Sequence, residues 1–593
     1  MKLRNIFLVT SALVAFSSCD DLFEPAIENQ QDVSQMFKDK EFARGILANA
    51  FMALPYSGSS VSDVATDDAV SVDNTNNYKK MAMGSWTSNN DPMSQWRDRY
   101  GAIQYCNIMI ENADMVEWAS SSENLNQMYI DNFKGNAYAM RGLQFFYLLR
   151  AHAGVSASGE LLGLPIHAQS EDGGSNFNLP RDSFKDCIDQ ILSDLDEAEK
   201  MLPYQYGNVG ANDAALSKYP GSTNAEYNRA FGDHQRGKID GKIIEAIRAQ
   251  VALFAASPAY ASANAITWSE AAEYAAKLLV KMGGLAGMQP NGWTWYNNAT
   301  EIDNLATGVN PDEIIWRDNL GKSHSIEGDN YPPSKEFNGK GLINPSQNLV
   351  DAFPMANGYP IKDSRSGYDP TKPYNNRDPR LSAYILYNGQ KIGANNSAVV
   401  TGTYVSDNSN GFQFERGRST ETGYYLRKLL RDDVNLESGK ETDMQHYTAR
   451  IRATEIFLAY AEAANEAGGP TATYGGANFN AKDVIKALRN RAGVGTAYVD
   501  GITSKEDMRE LIRNERRLEL CFENHRFYDL RRWKAPLNES VKGIKITAAA
   551  ADGTLDYEIV NVEDRKYQDY MIYGPIPYSE VLKFNNLEQN MGW

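Results

Sequence analysis

Three groups of residues in this chain have the types and spacing to do chemistry. The first is a single thiol. Cys19 closes the run Phe7-Leu-Val-Thr-Ser-Ala-Leu-Val-Ala-Phe-Ser-Ser18, which follows Lys2 and Arg4. A basic start, an apolar stretch and small residues before the cut describe a secretory signal. A cysteine directly after the cut adds a bacterial lipidation signal; the alternative is ordinary secretion with a coincidental cysteine. The second group is acidic. Glu515, Glu519 and Glu523 recur at i,i+4 spacing, with Arg516, Arg526, Asp529 and Arg531 around them. A glycosidase would use two such carboxylates as acid and base. Basic neighbours this close keep carboxylates ionised, whereas a general acid needs a raised pKa. The pattern reads as an ion network that ties helices together.

The third group is aromatic. Aromatic side chains make up 11% of the residues and Tyr alone contributes 33, many of them in polar loops. In Asn291-Gly-Trp-Thr-Trp-Tyr-Asn-Asn298, Trp293, Trp295 and Tyr296 stand among amides. If that segment is extended, the two tryptophans project to one side and Tyr296 to the other. Tyr78, Trp86 and Asn89, with Asp67 and Asp68 nearby, form a second cluster. Flat rings flanked by amides and carboxylates suit a hydroxyl-rich ligand such as a sugar, and loops on a rigid scaffold are where such sites sit. Trp96 and Trp533 fall in helical patterns and belong to the core; Trp316 reads as a buried strand position. Asp67, Asp68 and Asp73 have the oxygens for calcium, although an acidic loop is more often only solvated. Otherwise no cofactor is expected. The six histidines show no HExxH or CxxC pairing that would point to zinc.

The elements that must position these groups are mostly helices. Apolar spacing places them at Met36–Leu54, from Pro92 through Ile110, at Leu125–Ala153, Arg181–Leu202, around Ile243–Phe254 and at Trp268–Met282. They return at Thr448–Glu466, Ala481–Ala492 and Lys505–Glu523, with a short last helix from Ser579 as N-cap. Repeated helix pairs suggest an α-solenoid or bundle. Residues 55–90 read as loop. Residues 285–445 are rich in Gly, Asn, Pro and Tyr, with short strand-like pieces such as Tyr384–Tyr387; loops this long are functional or disordered.

Composition limits the partners. The 593 residues suffice for several lobes, and 42% hydrophobic content for a large core. The net charge is −17, and removal of Lys2 and Arg4 makes it two units more negative. That disfavours nucleic acid and bare anionic membrane as partners. The signal's apolar run falls short of the ~20 residues that span a bilayer, so the membrane contact expected is the N-terminal lipid alone. Cys106, Cys187 and Cys521 sit among apolar neighbours and read as buried thiols.

Five segments together resemble the SusD/RagB family of surface nutrient-binding lipoproteins of Bacteroidetes. They are Trp96-Arg-Asp-Arg-Tyr100 with Ile103 and Asn107; Ala137-Tyr-Ala-Met-Arg-Gly-Leu-Gln-Phe-Phe146 running on to Gly163-Leu-Pro-Ile166; and Ile191-Leu-Ser-Asp-Leu-Asp-Glu-Ala198 with Leu202-Pro203. The fourth joins Arg450, Glu455–Ala463, Arg489-Asn-Arg-Ala-Gly493, Glu515–Glu523 and Arg526 to Asp529-Leu-Arg-Arg-Trp533; the fifth is Gly574-Pro-Ile-Pro577 with Glu580 and Gln589-Asn590. The resemblance runs the length of the mature chain.

It implies a mostly α fold, with tetratricopeptide-like helix pairs forming an α-superhelical scaffold and a long loop-rich, minor-β variable region. The division expected is a signal peptide at 1–18, a lipidated tether at 19–33, an N-terminal helical region at 34–284 with a ligand loop at 55–90, a variable region at 285–445 and a C-terminal helical region at 446–593. It further implies a non-catalytic protein that captures a glycan and acts as the lid of a TonB-dependent, SusC-like outer-membrane transporter. A peptide cargo and a glycan hydrolase are the alternatives. The two aromatic clusters fall in regions where the family builds its ligand platform. Asp20-Asp21 after the cysteine resembles the acidic surface-export tag of Bacteroidetes lipoproteins, although elsewhere an aspartate there signals inner-membrane retention; the family resemblance favours the outer face of the outer membrane.

Overall fold

The computed structural model describes residues 33–55, 61–548 and 554–593. The signal run, Cys19 and the tether up to residue 32 lie outside them. A row of helices dominates: α1 (Lys40–Met52), α2 (Trp96–Asn112), α3 (Glu123–His152), α4 (Phe184–Met201), α5 (Gly241–Ala256), α6 (Trp268–Lys281), α7 (Ala453–Gly468), α8 (Ala481–Arg491), α9 (Lys505–Leu520) and α10 (Arg526–Arg532). From α1 to α7 each helix packs on its sequence neighbour, and α7 also receives α8 and α9. The fold is thus mostly α, as the resemblance implied. Their starts are local in origin. Ser122, Ser183, Asp240, Thr267 and Ser504 cap α3, α4, α5, α6 and α9 through side-chain oxygens that accept backbone N–H groups. Gly493, at φ 76, takes the left-handed position that ends α8.

Polar side chains from the sequence motifs lock the row. Arg141 of α3 donates to Asp194 of α4 at 2.9 Å and to Asn107 of α2 at 2.8 Å. Asn590 donates to the His152 carbonyl and accepts from Arg181, both at 2.8 Å, so the C-terminus closes on the end of α3. Motif residues far apart in sequence are thus buried partners. Cys106, Cys187 and Cys521 are free, buried thiols.

Several boundaries differ from expectation. α2 begins at Trp96, not Pro92, because Asp91 holds a turn: its carboxylate accepts from the Met93 N–H and the Trp86 indole, each at 2.9 Å. The last helix is Tyr578–Lys583, with Pro577 and not Ser579 at its cap. Tyr384 ends a short helix, Pro379–Tyr384, and only Ile385–Leu386 is strand. Between α4 and α5 lies a further two-turn helix, Asn224–Phe231, fixed by a Thr223–Glu226 capping box.

The variable lobe has its own core, built on Trp295, Tyr296, Phe353, Leu381, Tyr384 and Tyr424, which also receives Leu518, Phe522, Ile544 and Ile546 from the C-terminal region. Short antiparallel pairs stitch it: β1 (Ala69–Ser71) with β4 (Ile343–Pro345), β2 (Ile314–Arg317) with β8 (Ala449–Arg452), β3 (Gly321–Ser323) with β7 (Met444–His446), and β5 (Ile385–Leu386) with β6 (Tyr425–Leu426). Trp316 in β2 is buried, its indole donating to the Gly237 carbonyl at 3.1 Å. A hairpin of β9 (Val541–Ala548) and β10 (Leu555–Glu563) leans on the lobe.

One buried carboxylate makes stability depend on pH. Asp63 accepts the Phe522 N–H at 2.9 Å, and burial followed by the Asp68 charge pushes its pKa up to about 7. The folded state therefore holds an extra proton between the unfolded value, near 4, and about 7. Stability from this site is full below that window and is lost as pH rises through 7. In Asp63→Asn the permanently neutral amide should remove this loss. The variant should gain roughly 2–3 kcal/mol on wild type between pH 5 and pH 8, read from urea midpoints. An unchanged difference between the two proteins would refute the assignment.

Candidate functional site

The structure separates the residues expected to form one site. Asp67 and Asp68 are buried and ion-paired: Arg517 reaches Asp67 and Asp68 through Nη2 and Asp68 through Nε at 2.7 Å, and Arg526 reaches Asp67 at 3.1 Å. Three of their four oxygens accept hydrogen bonds from these arginines, and the fourth, Asp68 Oδ2, lies 3.7 Å from Arg526 Nε. Among the described residues no group of three or more His, Cys, Asp or Glu side chains could hold a metal ion. Trp86 is 2% exposed and packs in a small core with Phe527, Tyr567 and Trp593. Tyr78 is half-buried between this core and that of the variable lobe. Asn89 is exposed.

The other cluster is not extended. Gly292–Asn297 coils into 3-10 turns broken at Thr294 (φ −119°), so Trp293, Trp295 and Tyr296 do not alternate as they would along a strand. Trp293 is half-buried; Trp295 and Tyr296 are buried, and Tyr296 donates to the Ala383 carbonyl at 2.8 Å. Trp86 thus belongs to one core and Trp295 to another.

Two features of the lobe have the chemistry of a binding surface. One is a group of half-exposed tyrosines. Tyr374 and Tyr387 stack at 4.1 Å and 14°, and Tyr557 of β10 meets Tyr374 edge-on at 6.1 Å. Tyr404, 39% exposed, bonds Asn388 at 3.1 Å, and its loop is tied to the hairpin by the Thr403 N–H on the Ile546 carbonyl. The Tyr387 hydroxyl is held by Ser382 and that of Tyr374 by Tyr424. Fixed hydroxyls leave ring faces as the free recognition element, pre-oriented by the core beneath. Sequence reading missed this surface. A usable signal was Tyr next to Asn-rich turns, as in Tyr374-Asn-Asn376 and Tyr387-Asn-Gly389.

The other feature is a cavity of about 410 Å³ between scaffold and lobe. Tyr147 of α3 and Gln250 of α5 line one side; Trp295, Tyr296, Tyr447 and the 522–525 turn line the rest. Its acidic groups are engaged: Asp318 with Arg450, and Glu523 with Arg452 at 2.7 Å and Lys428 at 2.6 Å. Burial alone would raise Glu523, but the Arg452 and Lys428 charges outweigh it and hold its pKa at about 2. Glu515 and Glu519 are likewise lowered, since their arginine partners overcome burial. Carboxylates with raised values lie elsewhere. Asp91 holds its turn at about 6, and Asp240 caps α5 at about 7, both raised by burial. None of these combines a raised pKa with a place in the cavity, which is what a general acid there requires.

Fold and surface define a class: a helical-repeat scaffold carrying a loop-built lobe that presents aromatic faces. Family models narrow it. One described as the SusD family matches residues 312–593, and one described as starch-binding, associating with the outer membrane, matches residues 25–217. The chain belongs to the SusD/RagB family. A SusD-like protein of Formosa agariphila is 27% identical over 234 residues, 37% of this chain; the match spans only 40% of that relative's length. A SusD-like protein of Bacteroides fragilis superposes with TM-score 0.71 at 22% identity, over 96% of this chain and 100% of that one. A SusD-like carbohydrate-binding protein of the same species gives TM-score 0.65 at 19% identity, over 93% and 99%. At these identities the solved structures establish the fold.

Proposed function

We propose that this protein is a non-catalytic, lipid-anchored glycan-binding protein of the outer membrane. It captures an oligosaccharide or polysaccharide and passes it to a TonB-dependent transporter, over which it closes as a lid. The observation that carries this reading is the tyrosine surface at 374, 387, 404 and 557, in which four chain segments converge, with Tyr374 and Tyr387 stacked on each other and the hydroxyls of Tyr374, Tyr387 and Tyr404 hydrogen-bonded. Sugars present C–H faces that pack on such rings, and the variable lobe is where family members differ. The starch-binding description of one matching model and the carbohydrate-binding title of one structural neighbour support the same class of ligand. Ion-paired carboxylates at the cavity support capture without bond cleavage.

Affinity electrophoresis of the mature protein through gels containing soluble starch, xylan, galactomannan, β-glucan or pectin tests this. Retardation by at least one polymer is expected, with no shortening of the polymer afterwards. Well-folded protein retarded by none of them, or release of reducing ends, would count against the reading. Cys19 enters as the anchor that keeps the body beside its transporter. A Cys19→Ala protein is expected to be lost from the cell surface and to abolish uptake, measured by surface proteolysis and growth on the bound glycan.

A further inference from the structure

The hairpin of β9 and β10 has one edge covered and one open. On β9 the Lys542 N–H donates to Asn348 at 2.8 Å, the Ile544 N–H donates to the Thr422 carbonyl, and the Ile546 carbonyl accepts from Thr403. These three residues turn their backbone groups toward the lobe. Opposite them on β10 stand Asn561, Ile559 and Tyr557. Residues that face each other across an antiparallel pair turn their backbone groups both inward or both outward. Tyr557, Ile559 and Asn561, with Leu555 two residues earlier, therefore turn theirs to the far side, where the sheet has no third strand. Among the described residues nothing bonds those N–H and C=O groups. The open ladder is about 20 Å long.

Proteins usually close such an edge with proline, a bulge or lysines. Leu555–Asn561 contains neither proline nor lysine, and the hairpin's register shift lies beyond it, between Val541 and Lys542. Ile559, in the middle, is 55% exposed. The two faces differ. Ile559 shares its face with Tyr557, which meets Tyr374. Asp556 and Glu558 share the other face, both exposed and neither in an ion pair among the described residues.

We propose that the outer edge of β10 is a docking strand for an extended segment of a partner protein in which basic and apolar residues alternate. The apolar residues of the added strand cover Ile559 and Tyr557, and its lysines or arginines reach Asp556 and Glu558. Main-chain bonds supply affinity, and the alternation fixes register. A second copy of this chain is a poor occupant. Two β10 strands paired antiparallel about Ile559, or parallel in register, bring the Asp556 and Glu558 carboxylates of one copy near those of the other, and each chain carries a net charge of −17. The inference does not draw on the glycan-binding reading.

The test is fluorescence anisotropy of a labelled peptide, Val-Lys-Ile-Arg-Val-Lys-Ile-Arg-Val, blocked at both ends, titrated with the mature protein. Saturable binding that weakens with added salt is expected. Ile559→Pro removes an outward N–H and leaves the bonds to β9 in place, so it should melt as wild type does and weaken binding at least about tenfold. Asp556→Lys/Glu558→Lys should weaken it as much. Peptide controls leave the protein intact. With apolar residues opposite Ile559, the valine and isoleucine nitrogens point at β10. Methylating those nitrogens should abolish binding, and methylating the lysine and arginine nitrogens should not. Equal binding by both methylated peptides, binding untouched by Ile559→Pro, or no binding of the parent peptide overturns the proposal. So does a wild-type dimer in sedimentation velocity that Ile559→Pro dissociates, which assigns the edge to a second copy.

Discussion

Replacing Arg380 with alanine is expected to lower the free energy of unfolding by about 3–5 kcal/mol, without touching either binding surface. Arg380 is fully buried and serves three carboxylates: Asp378 at 2.6 Å, and Glu515 and Glu519 at 2.9 Å each. Each of those glutamates has a further arginine. Glu515 takes Arg489 at 2.5 Å, and Glu519 takes Arg491 at 2.9 Å. The lattice continues through Arg452, which bonds Glu313 at 2.9 Å and Glu523 at 2.7 Å. It therefore joins α8 and α9 to β2, β8 and the Pro379–Tyr384 helix of the lobe. Taking charges out of water is expensive, and their attraction offsets that cost only while the set is complete. Removing Arg380 leaves three buried carboxylates short of positive charge and opens a void where a large side chain stood. Urea unfolding followed by far-UV circular dichroism measures the loss. A midpoint shift equivalent to less than about 1 kcal/mol would mean that water reaches the lattice and screens it. Glu510→Ala, on the exposed side of α9, is the control and should be nearly neutral.

This lattice also shows which parts of the molecule could be read from sequence. Glu515, Glu519 and Glu523 could be assigned to structure because helical spacing and interleaved arginines are local facts. The helices could be placed because caps and apolar periodicity are local as well. Their exact starts could not: Pro92 looked like a first-turn proline, but Asp91 bonds the chain into a turn there. The aromatic residues were harder. Trp86 sits in a polar loop and looked available, but Phe527, Tyr567 and Trp593, at the other end of the chain, bury it. Asp67 and Asp68 looked like solvated loop acids until Arg517 and Arg526 were placed beside them. Trp295 was singled out for ring stacking on a ligand, and the rings of Tyr296 and Tyr447 meet it instead. Whether a loop aromatic faces solvent is decided by contacts remote in sequence, so composition identified the lobe but not its outward-facing rings.

Those rings carry the second large effect. The double variant Tyr404→Ala/Tyr557→Ala should lose about 100-fold in affinity for the polymer that retards the wild type. Tyrosines at the centre of a contact commonly contribute about 2 kcal/mol each, and 1.4 kcal/mol is tenfold; two neighbouring rings that share one ligand will add to less than their sum. These two are chosen because they stand outermost. Tyr404 is bonded to Asn388 alone through side chains, and Tyr557 lies edge-on to Tyr374 at the lobe's margin. Tyr374 and Tyr387 stack on each other and seal the core below, so removing them would confuse binding with folding. The conservative pair separates stacking from hydrogen bonding. Tyr404→Phe/Tyr557→Phe keeps both faces and should stay within about threefold of wild type, whereas recognition through the hydroxyls would make it as weak as the alanine pair. The phenylalanine pair should unfold at the wild-type urea concentration, because neither hydroxyl holds the core; the alanine pair also loses the packing of Tyr557 on the lobe core and should unfold at a somewhat lower one while staying folded under the binding conditions. If the alanine pair binds polymer as wild type does, the ligand lies elsewhere on the lobe and the tyrosine surface is only the outer skin of its core.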